Sequence, residues 1–243
     1  MNTRVTRATS RRVLRQLRHD PRTIALLLVV PCVLLALLAW IISDADFDKY
    51  GPMLLGIFPL MVMFLVTSVA TLRERTSGTL ERLLTLPMGK LDFLLGYAVA
   101  FGLVAVLQAV LASALSFGLL GLDVRGPQWC VVLVSVLVAL LGTSLGLAVS
   151  ALARTEFQAV QFLPVFLLPQ LLLCGILGPR DELPTVLRWI SDVLPLTYAV
   201  DAMLQLSAYV DPTAQMWRDV AVVVGFTVAL LVVGAATLRR RTP

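Results

Sequence analysis

Six long stretches without a charged residue limit this chain to a helical fold embedded in a membrane. They cover residues 23–43, 50–72, 93–122, 126–153, 157–179 and 220–238, with lengths of 21, 23, 30, 28, 23 and 19 residues. A helix that rises about 1.5 Å per residue needs roughly 20 apolar residues to cross a hydrocarbon layer of about 30 Å. Each stretch is therefore long enough to span a membrane once.

The same stretches exclude transmembrane strands. Strands of a membrane barrel alternate apolar and polar residues over about ten positions, whereas residues 26–38 and 131–141 show no such alternation. The composition agrees, because 58% of the residues are hydrophobic and only 14% are charged, far from the average of soluble proteins. We expect one all-α integral membrane domain over residues 1–243, with six transmembrane helices.

The distribution of Arg and Lys predicts the orientation of these helices. When the connecting segments are assigned alternately to two sides, 15 of the 20 basic residues fall on one side. Cytoplasmic loops carry the excess of Lys and Arg, so both termini are expected in the cytoplasm, with the chain in a bacterial cytoplasmic membrane. The net charge of +5 then reflects loops that face anionic membrane lipids. No nucleic-acid partner is expected.

Residues 1–20 are expected to form an amphipathic helix at the membrane surface. Arginines recur there at spacings of three and four, which places one set on a single helical face. This set is Arg4, Arg7, Arg11, Arg15, Arg18 and Arg22. Val13, Leu14 and Leu17 lie on the opposite face, which is expected to contact acyl chains. A cleaved signal peptide and a charged anchor without a surface helix are the alternative interpretations.

A second charged segment, residues 73–90, connects two predicted spans on the cytoplasmic side. Gly78 favours a turn at the start of a short helix, and Pro87 ends it. The apolar face of this helix consists of three leucines, Leu80, Leu83 and Leu84. A short helix joined to two spans is suited to receive a movement from a soluble partner. An amphipathic loop without a partner explains the pattern equally well.

Two sequence motifs resemble those of a known family. Residues 74–87, ERTSGTLERLLTLP, are similar to the cytoplasmic coupling segment of type-2 ATP-binding cassette (ABC) exporter permeases, and a long apolar span follows them. Residues 194–202, LPLTYAVDA, resemble the segment that precedes the last span in that family. The two motifs occur in the expected order, and the likeness extends over the whole chain.

The resemblance implies a permease subunit that dimerises with a second copy or a paralogue and binds two separate ATPase subunits. It implies export of an amphipathic drug, antibiotic or lipid-like substrate, and thus a connection with antibiotic resistance. The residues expected to couple the permease to the ATPases are Glu74, Arg75, Gly78, Thr79, Leu80, Glu81, Leu83, Leu84 and Pro87.

The sequence also indicates that ATP is hydrolysed by a separate subunit. The phosphate-binding loop G-x-x-x-x-G-K-[ST] requires a Lys followed by Ser or Thr, but Lys49 precedes Tyr50 and Lys90 precedes Leu91. We therefore expect a transport subunit that is not itself an enzyme and that binds no cofactor and no metal. ATP and Mg²⁺ are expected on the partner ATPase subunits.

Residues 180–219 form the longest polar interruption and are expected on the outer side. Pro195 separates two stretches of helical periodicity, each too short to span a bilayer. Surface or half-membrane helices at the outer leaflet are predicted, similar to the family's re-entrant element over the exit path. Pro195, Tyr198 and Asp201 are the candidate residues of this external gate. Asp201 is interpreted as holding a helix end, as contacting an arginine of the partner permease, or as simply exposed.

In the family, the second and fifth spans line the substrate route, which gives a set of candidate residues. This set is Phe64, Thr67, Gln158, Gln161 and Phe166. An amide inside a membrane needs a polar partner, so hydrogen bonding between helices competes with substrate contact as the role of the glutamines. The same choice applies to Gln108 and Gln170.

Two other classes of membrane protein fit the sequence less well. An ion-coupled secondary transporter normally carries acids or a histidine at mid-membrane, and the six uncharged runs contain none. An intramembrane enzyme needs a nucleophile that faces a base, or paired carboxylates. The Ser and Thr residues of the runs have no His or Asp at matching depth.

Overall fold

The computed structural model describes residues 3–76 and 90–237. Within these two ranges the chain contains helices and no β-strand. Six of these helices are long and apolar enough to cross a membrane. The predicted all-α membrane architecture with six spans is confirmed, while the depth of the shorter helices in the lipid stays a prediction.

Nine α-helices follow one another in the described part of the chain. They are α1 (Thr3–Arg18), α2 (Pro21–Ile41), α3 (Asp44–Thr76), α4 (Lys90–Gly118), α5 (Gln128–Val149), α6 (Glu156–Leu173), α7 (Thr185–Asp192), α8 (Pro195–Ala208) and α9 (Ala214–Thr237), with a single 3-10 turn at Arg180–Glu182. The candidate spans are α2, α3, α4, α5, α6 and α9. Helix α3 exceeds its uncharged run at both ends, because acids in its first turn and arginines in its last turn complement the helix dipole.

The helices bring distant parts of the chain together at two ends of the bundle. One end, called the Arg-rich end, contains α1, the last turn of α3 and the first turns of α4 and α6. The other end, called the loop end, contains the first turn of α3, the end of α4, both short helices α7 and α8, and the start of α9. There the Asp123 amide donates to Asp48 Oδ1 over 2.8 Å. Helix α3 starts at the loop end, whereas α4 and α6 start at the Arg-rich end. Consecutive spans therefore run in alternate directions.

Two glycines allow α3 and α5 to pack backbone against backbone. Gly142 and Gly146 lie one turn apart on α5 and face α3. A Cβ at Gly146 would lie 2.6 Å from the Phe64 carbonyl oxygen, and a Cβ at Gly142 would overlap the Leu60 carbonyl oxygen. Spanning helices associate through such close van der Waals contact, because lipid provides no hydrophobic driving force between them. Helix α5 is the central helix and packs against α3, α4 and α9.

Helix α1 packs on the start of α4 at a third glycine. A Cβ at Gly96 would lie 2.6 Å from Thr9 Cβ, and the Ser10 hydroxyl donates to the Gly96 carbonyl oxygen over 2.9 Å. Val13 is 3% exposed and belongs to a buried cluster with Leu27. At Val13, the neighbours of the apolar face are thus protein side chains and not the expected acyl chains, because α4 comes close enough to cover it.

A glutamine from α4 replaces a backbone hydrogen bond that a proline removes from α2. Pro31 has no N–H, so the Leu27 carbonyl lacks its usual helical donor. The Gln108 amide donates to the Leu27 carbonyl oxygen over 2.6 Å, and the Gln108 side chain is fully buried. The predicted hydrogen bonding between helices is therefore observed at Gln108.

Replacing Gln108 with methionine is expected to lower the free energy of unfolding by about 1 kcal/mol, because a buried carbonyl loses its donor. A Pro31→Ala substitution should reduce this loss, since the alanine amide can then donate to Leu27 itself. The measurement is a double-mutant cycle, with purified protein unfolded in mixtures of SDS and a mild detergent. Equal losses with and without Pro31 would contradict the assigned role.

Candidate functional site

At the Arg-rich end, α1 is joined to the last turn of α3, where the predicted coupling segment begins. Arg12 Nη1 donates to Glu74 Oε1 over 3.0 Å, and Arg12 Nη2 donates to the Tyr97 hydroxyl over 2.9 Å. Gln16, one turn further along α1, donates to the same Glu74 oxygen over 3.2 Å. The Glu74 side chain is 12% exposed. Helices α1, α3 and α4 thus meet at one largely buried ion pair.

A second ion pair joins α3 to α6 at the same end. Arg73 donates to both carboxylate oxygens of Glu156, over 2.7 and 2.8 Å. Because both side chains are largely exposed, the pair contributes at most about 1 kcal/mol. The start of α6 is fixed further by Thr155, which caps the helix by accepting from the Gln158 amide. Gln158 Oε1 in turn accepts from the Arg154 amide over 2.8 Å.

Most of the predicted ATPase contacts lie outside the described residues; these are Gly78, Thr79, Leu80, Glu81, Leu83, Leu84 and Pro87. Glu74 and Arg75 lie in the last turn of α3. Arg75 is partly buried, and Glu74 is bonded to Arg12 and Gln16 within the chain. Contact of this segment with an ATPase stays a prediction.

At the loop end, Arg180 pairs with aspartates from both short helices. Its Nη1 lies 2.6 Å from Asp201 Oδ2 on α8, and its Nη2 contacts the Asp192 carboxylate at the end of α7. The Tyr198 hydroxyl donates to the Asp192 carbonyl oxygen over 2.6 Å. Asp201 therefore contacts an arginine of its own chain, and contact with an arginine of the partner permease stays a prediction.

The environment of Asp201 acts on its charge in two opposite ways. Burial raises the pKa of the Asp201 carboxyl group, and the Arg180 guanidinium counteracts this rise. The Arg180 and Asp201 side chains are 20% and 21% exposed. Because Asp192 also contacts the guanidinium, two carboxylates share one cation between α7 and α8.

Helix α8 is held on the bundle by backbone hydrogen bonds at both of its ends. At its start, Gln170 Oε1 on α6 accepts from the Leu196 amide over 3.3 Å. At its end, the Gly126 amide donates to the Leu206 carbonyl oxygen over 2.8 Å. Pro195 is buried at the first helical position, where its missing N–H leaves no helical bond unmade. Helix α8 is therefore an integral part of the packed bundle.

The predicted substrate-path residues occupy three different environments. Phe64 and Thr67 are fully buried where α3 crosses α5. Phe166 is partly buried and packs against the same core cluster that contains Phe64. Gln158 is engaged at the start of α6, whereas Gln161 is exposed. The two phenylalanines thus belong to one apolar core, and a role of any of the five residues in transport stays a prediction.

The polar and close-packed sites also contain residues that the sequence-based prediction did not assign. The G-x-x-x-G pattern of Gly142 and Gly146 within an apolar run is a known signal of helix pairing and was available in the sequence. Arg12 falls outside the regular spacing of the other α1 arginines, which is a weaker signal of a different environment. Arg180 has no such signal, because its partners depend on how the chain folds back after α6.

The described residues contain no group of three or more His, Cys, Asp or Glu side chains placed to hold a metal ion. Cys32, Cys130 and Cys174 form no disulfide. The polar contacts of both ends are ion pairs and hydrogen bonds that join one helix to another. Such contacts are suited to hold helices in defined relative positions.

The chain matches the family model described as ABC-2 type transporter over residues 4–207. It is 27% identical over 168 residues to the probable multidrug ABC transporter permease YbhR of Escherichia coli K12, covering 69% of this chain and 46% of that protein. It is 29% identical over 143 residues to the probable multidrug ABC transporter permease YbhS of the same strain, covering 58% and 38%. It is 26% identical over 178 residues to ABC transporter G family member 20 of Dictyostelium discoideum, covering 72% and 24%.

The chain spans less than half the length of these three curated relatives. The family match nevertheless extends over most of the chain and includes both sequence motifs, residues 74–87 and 194–202. Six candidate spans in an all-helical bundle agree with it. The chain therefore belongs to the ABC-2 type transporter family.

Proposed function

We propose that the chain is the membrane-spanning permease subunit of an ATP-driven exporter in a bacterial cytoplasmic membrane. The observation that carries the proposal is the family match over residues 4–207, which contain the predicted coupling segment and most of the predicted external element. Two relatives are named as probable multidrug ABC transporter permeases. These names support an amphipathic substrate that resembles a drug, an antibiotic or a lipid.

Two separate ATPase subunits are proposed to supply the energy by binding and hydrolysing ATP with Mg²⁺. Closure of the ATPases would displace residues 77–89, which directly follow α3 and precede α4. The Arg12 to Glu74 pair joins this site to α1, and the Arg73 to Glu156 pair joins it to α6. A displacement of the coupling segment would thus reach four helices, and this is the route proposed for the mechanical signal.

The Arg-rich end is proposed to face the cytoplasm, together with both termini. This end contains α1, whose five regularly spaced arginines, Arg4, Arg7, Arg11, Arg15 and Arg18, are all exposed. Exposed arginines at the membrane surface are attracted to the anionic lipids of the cytoplasmic leaflet. The proposal rests on this attraction and on the excess of basic residues assigned to this side.

A second permease, either another copy or a paralogue, is proposed to complete the transport route. Within one chain, α2 and α6 leave wide apolar faces uncovered. The exposed residues of these faces include Leu26, Val29, Val33 and Leu37 on α2, and Val165, Leu168 and Leu172 on α6. We propose that the second permease covers part of these faces, and that the substrate passes between the two subunits along the second and fifth spans.

The loop end is proposed to open outward beneath α7 and α8. Pro195 and Tyr198 position the start of α8 against α7, and Asp201 is held by Arg180. These contacts would keep the external element in place while the cavity faces the cytoplasm.

The proposed function is tested by reconstituting the permease with its ATPase subunits in liposomes and measuring export and ATP hydrolysis together. Replacing Leu83 with aspartate should reduce substrate-stimulated transport roughly tenfold, since a charge in a docking contact costs at least about 1.4 kcal/mol. Replacing Glu81 with lysine should act in the same direction. Membrane insertion should remain intact in both variants.

The matched control is Leu119→Asp, which makes the same change at an exposed leucine at the loop end. Export by this variant should equal that of the parent. Unchanged export by the Leu83 and Glu81 variants would refute the coupling role. Export by the permease without any ATPase would refute the proposed function as a whole.

A further inference from the structure

All four tryptophans of the chain are exposed, and all four lie at the loop end. Trp40 is in the last turn of α2, Trp129 in the first turn of α5 and Trp217 in the first turn of α9. Trp189 is on the short helix α7. Their exposed fractions range from 43% to 85%. Because the sequence contains four tryptophans, the Arg-rich end has none.

Three of these tryptophans mark the place where an apolar span meets charged residues. The nearest charged residues along the chain are Asp44 for Trp40, Arg125 for Trp129 and Arg218 for Trp217. The rings of Trp129 and Trp217 lie 6.3 Å apart between centroids, so α5 and α9 present them at the same level. Tryptophan is enriched at the boundary between lipid headgroups and acyl chains, because its ring is apolar and its N–H is polar.

Helix α7 carries its apolar residues on the side that faces away from the bundle. Val186, Trp189 and Ile190 are exposed, and their helical spacing places them on one side. Ser191 is the one buried residue of α7, and its hydroxyl donates to the Leu173 carbonyl oxygen over 2.8 Å. The polar side of α7 is thus bound to the protein, whereas its apolar side is left open by the part of the chain that the structure describes.

The distribution of the tryptophans favours lipid over a protein as the neighbour of this apolar side. Helix α2 packs on α3 and α4, α9 packs chiefly on α5 and α8, and α7 packs on α6 and α8. The four tryptophans therefore lie at different positions around the bundle. A protein partner covers one side of a bundle, whereas a bilayer surrounds all of it. Lipid accounts for all four exposed rings at once.

We propose that the four tryptophans form one lipid-binding surface at the loop end, and that α7 lies flat at the boundary between headgroups and acyl chains. Val186, Trp189 and Ile190 contact the lipid in this arrangement. Amphipathic helices bind membranes in this way, with the apolar side in the headgroup and acyl boundary. A half-membrane helix would instead place Trp189 deeper than the tryptophans of the spans. This surface goes beyond the proposed function, because it concerns contact with lipid and not transport.

The depth of each tryptophan can be measured with the purified permease in phosphatidylcholine vesicles. Four variants each retain one tryptophan and carry phenylalanine at the other three positions. Lipids brominated near the headgroup or near the bilayer centre quench indoles at those depths, and acrylamide on both sides of the membrane quenches indoles in water. All four variants should lose more fluorescence with the shallow bromine than with the deep bromine. Leu103→Trp, without the native tryptophans, is the control for depth, because Leu103 is exposed near the middle of α4.

The variant that retains Trp189 decides the position of α7. Stronger quenching by the deep bromine would overturn the proposal in favour of a half-membrane helix. Quenching by acrylamide alone would place α7 in water, and protection from all three quenchers would mean that a second permease covers it. A different depth for Trp40, Trp129 or Trp217 would refute a common surface. Since no ATPase is present, each outcome is independent of ATP-driven export.

A matched pair of variants tests which side of α7 faces the lipid. Val186 and Arg188 lie on opposite sides of the helix, and both side chains are exposed. In the background without native tryptophans, the shallow bromine should quench Val186→Trp, and acrylamide should quench Arg188→Trp. Replacing Arg188 removes only an ion pair with the exposed Asp181, so the fold should be preserved, which circular dichroism checks. Equal quenching of the two variants would contradict the proposed orientation.

Discussion

Replacing Gly142 with leucine is expected to prevent assembly of the bundle, the largest effect of any single substitution considered. Gly142 lies directly against the Leu60 carbonyl oxygen of α3, so any side chain at this position must push the two backbones apart. Because α5 contacts three other spans, the displacement cannot be confined to one contact. Overpacking of this kind costs about 3 kcal/mol or more, a large part of the stability of a single domain.

The experiment compares the amount of monodisperse protein after detergent extraction and its resistance to unfolding in SDS. Gly225→Leu is the matched control, because a Cβ at Gly225 meets no atom within 4 Å. The control should behave like the parent protein, whereas Gly142→Leu should yield aggregated or SDS-sensitive material. Gly146→Leu should resemble Gly142→Leu, since it faces the Phe64 carbonyl oxygen in the same way. Normal yield and stability of Gly142→Leu would contradict the packing described.

Replacing Arg180 with methionine is expected to cause the second large loss of stability. It leaves the carboxylates of Asp192 and Asp201 facing each other without a cation between them. Loss of one member of a fully buried pair costs about 3–5 kcal/mol, and we expect about 2 kcal/mol here because the Asp201 side chain retains some exposure. Thermal unfolding followed with a thiol-reactive dye is a suitable measurement, since Cys130 and Cys174 are buried in the folded protein.

The loss caused by Arg180→Met should depend on pH. Burial raises the pKa of Asp201 and Arg180 opposes it, so without Arg180 the pKa in the folded state rises further above the unfolded value. An acid with a raised pKa in the folded state favours folding when protonated. Its contribution to the stability of the folded state is fully present below the unfolded pKa of about 3.9. This contribution is lost as the pH rises through the pKa of the folded state. The variant should therefore be closest to the parent protein near pH 4 and furthest from it at pH 7.

Two further variants test whether the Asp201 carboxylate causes the pH-dependent loss of stability. Adding Asp201→Asn to Arg180→Met should restore stability at pH 7 and remove the dependence on pH, because the buried negative charge is then absent. Arg188→Met should change stability by less than about 0.5 kcal/mol, since its ion pair with Asp181 is solvent-exposed. A loss for Arg180→Met that is independent of pH would show that Asp201 does not carry the effect.

The spanning helices were predictable because lipid imposes a simple rule on the sequence. An uncharged, apolar run of sufficient length forms an α-helix in a hydrocarbon layer, since every backbone group must be hydrogen-bonded within the segment. The first and last residues of the spanning helices were less predictable. In α3, the helical hydrogen bonding continues through charged turns that lie outside the uncharged run of the sequence. The break at Pro195 was predictable for a local reason, the missing N–H and the fixed φ of proline.

The polar contacts could not be read from the sequence, because they join residues far apart in the chain. Arg12 and Glu74 are separated by 62 positions, and Gln108 and Leu27 by 81 positions. Their pairing depends on how helices cross, which periodicity does not encode. The contact of Arg180 with Asp201 depends on the turn after α6, where Gly175 adopts a φ of +95°. The clearest local signal was the G-x-x-x-G pattern of Gly142 and Gly146, and the irregular position of Arg12 was a weaker one.

The contact between Ser10 and Gly96 has a consequence for biosynthesis, because 86 positions separate the two residues. The ribosome makes α1 before α4, so the surface of α4 on which α1 packs does not exist until α4 has been translated. At a typical rate of roughly 5–20 residues per second, that interval lasts about 4–17 s. During this time the growing chain must retain its first helix without its final neighbour, while α2 and α3 are made. Helix α1 is thus synthesised before α4 but reaches its native position only after α4 has been made.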